Sequence, residues 1–128
     1  MTASTRAVEL ATVAARAAED KIAESVVALD VSGQMPLTDI FLIVSADNER
    51  QVASIVDAVE DALRDVGAKR LRREGARESR WVLLDFGDVV VHVQHDEERA
   101  FYALERLWGD APAIDLGLAE AAAEPSAG

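Results

Sequence analysis

The run Trp81-Val82-Leu83-Leu84-Asp85-Phe86-Gly87-Asp88-Val89-Val90-Val91-His92-Val93-Gln94 decides how this chain folds. Two β-rich segments flank Gly87-Asp88, and a two-residue link containing Gly predicts a tight hairpin. Side chains alternate across a strand, so Phe86 should face Val89, Leu84 face Val91 and Val82 face Val93. That side is wholly apolar and belongs to a core. On the other side Asp85 meets Val90, Leu83 meets His92 and Trp81 meets Gln94. The mixture is too polar for a core and too apolar for idle surface. One reading makes it a docking face with Trp81 as its anchor. The other packs a helix over it, with His92 hydrogen-bonded and Trp81 half buried. Composition alone tilts slightly to the second, because a single His in a strand usually serves structure.

Outward from the hairpin, the elements follow from periodicity. Residues 5–23 are Ala-rich without Gly or Pro and predict a helix, with Leu10, Ala14, Ala17 and Ala18 on one side. Residues 26–32 and 38–45 read as strands, separated by Gly33 and Pro36. The unbroken apolar run from Ile40 to Val44 suits a strand covered on both faces. Asn48 and Gln51 form a capping-box pair ahead of a helix. Val52, Ile55, Val56, Val59, Leu63 and Val66 recur at helical spacing, and Gly67 stops it. Beyond the hairpin, Asp96 should cap a last helix with the stripe Phe101, Leu104 and Trp108, ended by Pro112. The fold class expected is α/β (α+β): a mixed sheet covered by helices, in the order helix, strand, strand, helix, hairpin, helix. One domain spans 1–112, and 113–128 reads as a loose acidic, Ala-rich tail.

With 128 residues, half of them hydrophobic, the chain has apolar material for one core. Thirteen basic against 24 acidic residues give a net charge of −11, which disfavours bare nucleic acid and suits a basic protein surface. Six of the 13 basic residues crowd into one stretch: Lys69, Arg70, Arg72, Arg73, Arg77 and Arg80. That stretch is either a phosphate-binding patch or a solvated loop offset by Glu74 and Glu78, and the loop is the preferred reading. The absence of cysteine excludes disulfides, thiolate metal sites and a Cys nucleophile. No apolar run approaches the ~20 residues that span a bilayer, and the start lacks a secretory signal. The cytoplasm is the expected location.

Catalysis finds no foothold. Carboxylates share a strand face at even spacing, whereas Asp85 and Asp88 stand three apart across a turn, so no metal is expected. His92 has no nucleophile in a recognisable motif, and His95 beside Asp96 reads as a helix start. Ser45-Ala46-Asp47 lacks the glycines of a phosphate loop. No cofactor is expected.

At these residues the chain resembles a known family. The run 81–93, together with Arg99-Ala100-Phe101-Tyr102-Ala103-Leu104-Glu105-Arg106-Leu107-Trp108, is similar to the ribosomal silencing factor, or Iojap, family. Leu29-Asp30-Val31-Ser32, Thr38-Asp39 and Arg50-Gln51-Val52 match its earlier blocks in order. The family commonly has an aromatic at Ile40, a Gly at Ala46, a Tyr or Leu at Phe86 and an aromatic or Met at Gln94. The resemblance implies a nucleotidyltransferase-like fold without known catalysis. It implies binding to ribosomal protein L-fourteen on the large subunit, where the bound domain obstructs subunit joining and lowers translation when nutrients are scarce. By the same resemblance the contact falls on Trp81, Leu83, Asp85 and His92, with Asp88 at the turn. Lys69, Arg70, Arg72 and Arg73 are the candidates for a secondary contact with ribosomal RNA. The alternatives are an enzyme on the nucleotidyltransferase-like fold and a homodimer formed through the Trp81 face or the Phe101 and Trp108 stripe.

Overall fold

Ser4 starts the first helix, its hydroxyl oxygen accepting the Ala7 N–H at 3.0 Å. The computed structural model describes residues 3–75, 80–96 and 111–116. Within them the elements are α1 (Thr5–Asp20), β1 (Ser25–Asp30), β2 (Ile40–Ala46), α2 (Glu49–Asp65), β3 (Arg72–Glu74), β4 (Trp81–Asp85) and β5 (Val89–His95). The five strands form one sheet in the order β1-β2-β5-β4-β3. β2 and β5 run parallel at its centre, and the other neighbours are antiparallel.

Both helices lie on one face of this sheet. From α1 the buried residues are Ala7, Leu10, Ala11, Ala14, Ala15 and Ala18, and their small side chains admit the helix close to its support. α2 contributes Val52, Ile55, Val56, Val59 and Leu63. These meet Leu42 and Val44 of β2, Val82 and Leu84 of β4, and Val91 and Val93 of β5 in the main core. β2 is buried at all seven positions, as its apolar run predicts. The hairpin register is the one alternation demands: Val82 opposite Val93, Leu84 opposite Val91, Asp85 opposite Val90, Leu83 opposite His92 and Trp81 opposite Gln94.

Polar side chains splice these parts together. Asn48 caps α2, accepting the Gln51 N–H at 2.8 Å. Gln51 does not close the usual box; its Oε1 accepts from the Asp47 N–H, and its Nε2 donates to the Lys21 and Ile22 carbonyls at the end of α1. At the other end of α1, the Asp30 carboxylate accepts the Ala3 N–H and the Asp39 carboxylate accepts the Ser4 N–H, both at 2.9 Å. Asp30 also accepts from the Ser32 N–H and hydroxyl. Burial works against its charge, but the hydrogen bonds from Ser32 and Ala3 outweigh it and hold its pKa below the ordinary 3.8.

Two expectations need correction. The basic stretch is not all loop, because Arg72–Glu74 pairs with β4 as an exposed edge strand. Three charged residues carry no apolar alternation, and the strand exists because β4 offers it a ladder. Nor is everything after 112 loose. The Pro112 carbonyl accepts the Asp30 N–H, the Ile114 N–H reaches the Ala28 carbonyl, and Ala113 bridges Leu29. Ile114 and Leu116 pack against the main core. The expected last helix with Phe101, Leu104 and Trp108, together with Arg77, Glu78 and the tail beyond 116, lies outside the described residues.

The two helices end alike. Gly67 (φ +86°) donates to the Arg64 carbonyl and Ala68 to the Leu63 carbonyl; Ile22 (φ +61°) donates to the Glu19 carbonyl and Ala23 to the Ala18 carbonyl. Glycine occupies the left-handed position in one case and a β-branched residue, 75% exposed, occupies it in the other. Little burial offsets that strain. Ile22→Gly should therefore stabilise the protein by about 1 kcal/mol, net of the greater chain entropy of Gly. Thermal unfolding followed by circular dichroism should show a melting temperature raised by a few degrees, and a lowered one would refute the strain.

Candidate functional site

The sheet face opposite the helices is the side on which the hairpin displays Trp81, Leu83 and Asp85. Its buried apolar residues are Leu29, Val31, Phe41, Ile43, Val90 and Ala111, with Met35, Trp81 and Leu83 packed against them and half buried. Along β4 the side chains alternate between half-buried and buried, which leaves the outward three within reach of solvent. Asp88 is exposed at the turn, while its backbone carbonyl accepts the Asp39 and Ile40 N–H groups and ties the turn to β2.

His92 does not reach the surface. It is 6% exposed, under Trp81 and beside Phe41. The Trp81 indole N–H donates to His92 Nδ1 at 3.2 Å, and the Phe41 ring meets the imidazole edge-on with centroids 5.0 Å apart. Because Nδ1 accepts, the ring proton is assigned to Nε2. Gln94 is completely buried on the same side of β5. His92 Nε2 and both side-chain polar atoms of Gln94 have no hydrogen-bond partner among the described residues. Thus Trp81, Leu83, Asp85 and Asp88 stand where a visitor could touch them, and His92 stands behind them as a support for the indole. The hydrogen-bonded His and half-buried Trp match two parts of the structural reading of this face, whereas both described helices pack on the other face. The accessible aromatic and carboxylates are those the docking reading required.

Asp85 is held on both sides. Its Oδ1 accepts the Gly87 N–H at 2.8 Å, closing the turn, and its Oδ2 lies 3.9 Å from Arg72 Nη2. Register explains the second contact, since Arg72 pairs with Asp85 and shares its face, whereas Arg73 pairs with Leu84 and points to the helix side. There Glu60 of α2 takes Arg70 at 2.6 Å and Arg73 at 3.1 Å. Arg72 also meets Glu74 at 3.2 Å, and Arg80 meets Glu49 at 2.9 Å. Among the described residues the basic stretch is therefore largely neutralised by carboxylates, chiefly Glu60, which the sequence reading did not pair with it. A hollow of about 460 Å³ on this side is lined by both signs, Glu60 with Arg64, Lys69 and Arg70.

Sequence reasoning missed two aliphatic residues. Leu37 and Leu71, with Met35, Pro36, Asp85 and Gly87, line a groove of about 250 Å³ at the turn end of the hairpin. The signal was present: Leu71 is the lone apolar side chain between Lys69 and Arg73, and Leu37 follows Met35 and Pro36 in a loop flanked by Gln34 and Thr38. No three His, Asp or Glu side chains converge on a common point among the described residues.

Burial pushes the His92 pKa down from 6.5 to about 4. Between those values the unfolded chain binds a proton that the folded chain refuses. The stabilisation is complete above about pH 6.5 and is lost as pH falls toward 4, roughly 3 kcal/mol in all. Urea unfolding at a series of pH values should show that slope, and His92→Gln should flatten it. An unchanged slope in the variant would assign the acid sensitivity elsewhere.

Comparison with known proteins places this geometry. Residues 4–127 match the family described as "Ribosomal silencing factor during starvation". A ribosomal silencing factor of Halalkalibacterium halodurans is 47% identical over 108 residues, covering 84% of this chain and 92% of that one. The chloroplastic Iojap protein of Zea mays is 36% identical over 105 residues, covering 80% of this chain and 44% of its own. A crystal structure of a protein from Chromobacterium violaceum superposes with a TM-score of 0.76 at 35% identity, covering 79% of this chain and 84% of that one. The scaffold is thus shared along most of the chain, which belongs to the ribosomal silencing factor family.

Proposed function

We propose that this protein represses translation by binding, with no bond made or broken. Its outer hairpin face docks on ribosomal protein L-fourteen of the large subunit and excludes the small subunit by bulk, lowering protein synthesis when nutrients are scarce. The cytoplasm is where such a partner is met. The observation that carries this reading is the half-buried Trp81, pinned by His92 and flanked by Leu83, Asp85 and the exposed Asp88. A large aromatic fixed in orientation loses little freedom on binding, and adjacent carboxylates suit a basic ribosomal protein. The net charge of −11 favours the same partner and speeds encounter with it. Trp81 and Leu83 supply apolar contact, Asp85 and Asp88 pair with Lys or Arg, and His92 positions the indole.

Lys69, Arg70, Arg72 and Arg73 are assigned at most a minor contact with ribosomal RNA. A phosphate must compete with Glu60 for Arg70 and Arg73 and with Glu74 for Arg72. If such a contact forms, a Lys69→Ala/Arg72→Ala variant should lose affinity less steeply with salt than the wild type; equal slopes leave the contact to protein alone.

The main test is co-sedimentation with isolated large subunits and with assembled ribosomes. The protein should pellet with the former and be excluded from the latter. Equal binding to both, or to neither, defeats the reading. Trp81→Ala should weaken binding to large subunits by about 2 kcal/mol or more, around thirtyfold, with the fold intact by circular dichroism. Unchanged affinity would remove Trp81 from the contact.

A further inference from the structure

Leu37 is 83% exposed and Leu71 64% exposed, two of the four large hydrophobic side chains that stand out from the described surface, and they line one groove. We propose that this groove takes an aliphatic side chain from a Lys- or Arg-rich protein segment, as a second, apolar anchor beside Trp81. The inference rests on the docking reading of the hairpin face and extends it to the turn.

The positions beneath these side chains are fixed. The Leu71 N–H donates to the Asp85 carbonyl at 2.7 Å, which holds Leu71 against the hairpin; its Cδ1 lies 3.6 Å from where a Cβ on Gly87 would stand. The Met35 N–H donates to the Val31 carbonyl at 2.8 Å, and the Asp39 N–H to the Asp88 carbonyl at 2.9 Å, which brace both ends of the loop bearing Leu37. A groove so held needs little ordering when it is filled. It is also continuous with the face already described. Met35 packs into the same outer cluster as Trp81 and Leu83 while lining the groove, so an apolar strip runs from the indole to Leu37.

Charge selects the occupant. Asp85 lines the groove and Asp88 stands exposed next to Gly87, so an incoming segment should carry Lys or Arg on either side of its apolar residue. A second copy of this chain would bring another surface of net charge −11 against these carboxylates, which makes it the poorer fit.

The test uses the full chain as wild type, Leu37→Ser/Leu71→Ser, Trp81→Ala and Asp88→Asn. Binding to isolated large ribosomal subunits and to purified ribosomal protein L-fourteen is measured across a salt series. Because Leu37 and Leu71 are exposed, the double variant should melt at the wild-type temperature or slightly above. It should bind about tenfold more weakly with an unchanged salt slope, while Asp88→Asn flattens the slope. Wild-type affinity in the double variant, alongside weakened Trp81→Ala, overturns the groove and leaves the docking face standing. Failure of the wild type to bind at all overturns both. A wild-type dimer by light scattering that the double variant converts to monomer would assign the groove to self-association and likewise overturn the proposal.

Discussion

β2 and β5 run side by side in parallel and are buried on both faces, and this pairing governs the rest of the molecule. A parallel pair needs a crossover; here the chain leaves β2 through α2 to the far edge at β3 and returns through β4 to β5, which sets α2 on one side of the sheet, where α1 joins it. Once Val91 and Val93 face α1 and α2, the period of two leaves His92 and Gln94 nowhere to go but the other side. The hairpin then carries the same choice across to β4, where Val82 and Leu84 turn inward and Trp81, Leu83 and Asp85 turn out. A slip of one residue would exchange the two sets and place a carboxylate and an indole in the helical core. Register at the centre thus decides which side chains the molecule can show a partner.

The splices at the edges of the sheet serve that register. Gln51 links the start of α2 to the end of α1, while Asp30 and Asp39 clamp the beginning of α1 to the strands beneath it. Asp39 is placed by its own N–H bond to the Asp88 carbonyl. The turn that presents Asp88 and the helix on the opposite face are therefore connected through a single residue. The polar atoms of His92 and Gln94 that find no partner among the described residues are the weak point of this arrangement, since buried groups without partners oppose folding. Their position directly behind the accessible indole concentrates that cost beneath the Trp81 face.

Much of this was legible in the residues, and what was not has physical reasons. The hairpin, its register, the doubly buried β2 and the Asn48 cap follow from period and turn chemistry, which are local. The depth of His92 is not local, because it depends on Phe41, which a neighbouring strand brings in from far along the chain. β3 escaped notice because Arg72, Arg73 and Glu74 carry no alternation. The neutralisation of Arg70 and Arg73 by Glu60 links a helix to a segment whose register could not be foreseen without that strand. Family resemblance named the face and its residues, but a resemblance carries no depth, and depth separates the half-buried Trp81 from His92, which lies beneath it and accepts its indole N–H.

The short bridge that residues 112–114 make along β1 has a consequence of its own. The opposite border of the sheet ends in a three-residue strand of charged side chains, a poor template for another chain. β1 has no such defence, since Val26, Val27, Ala28 and Leu29 form a run well suited to cross-β stacking. The Pro112 carbonyl, the Ala113 bridge and the Ile114 N–H cover the Ala28–Asp30 end of that border. Proteolytic loss of everything beyond Ala111 would leave the Trp81 face in place and yet unseal an adhesive flank, favouring edge-to-edge assembly of copies of the chain.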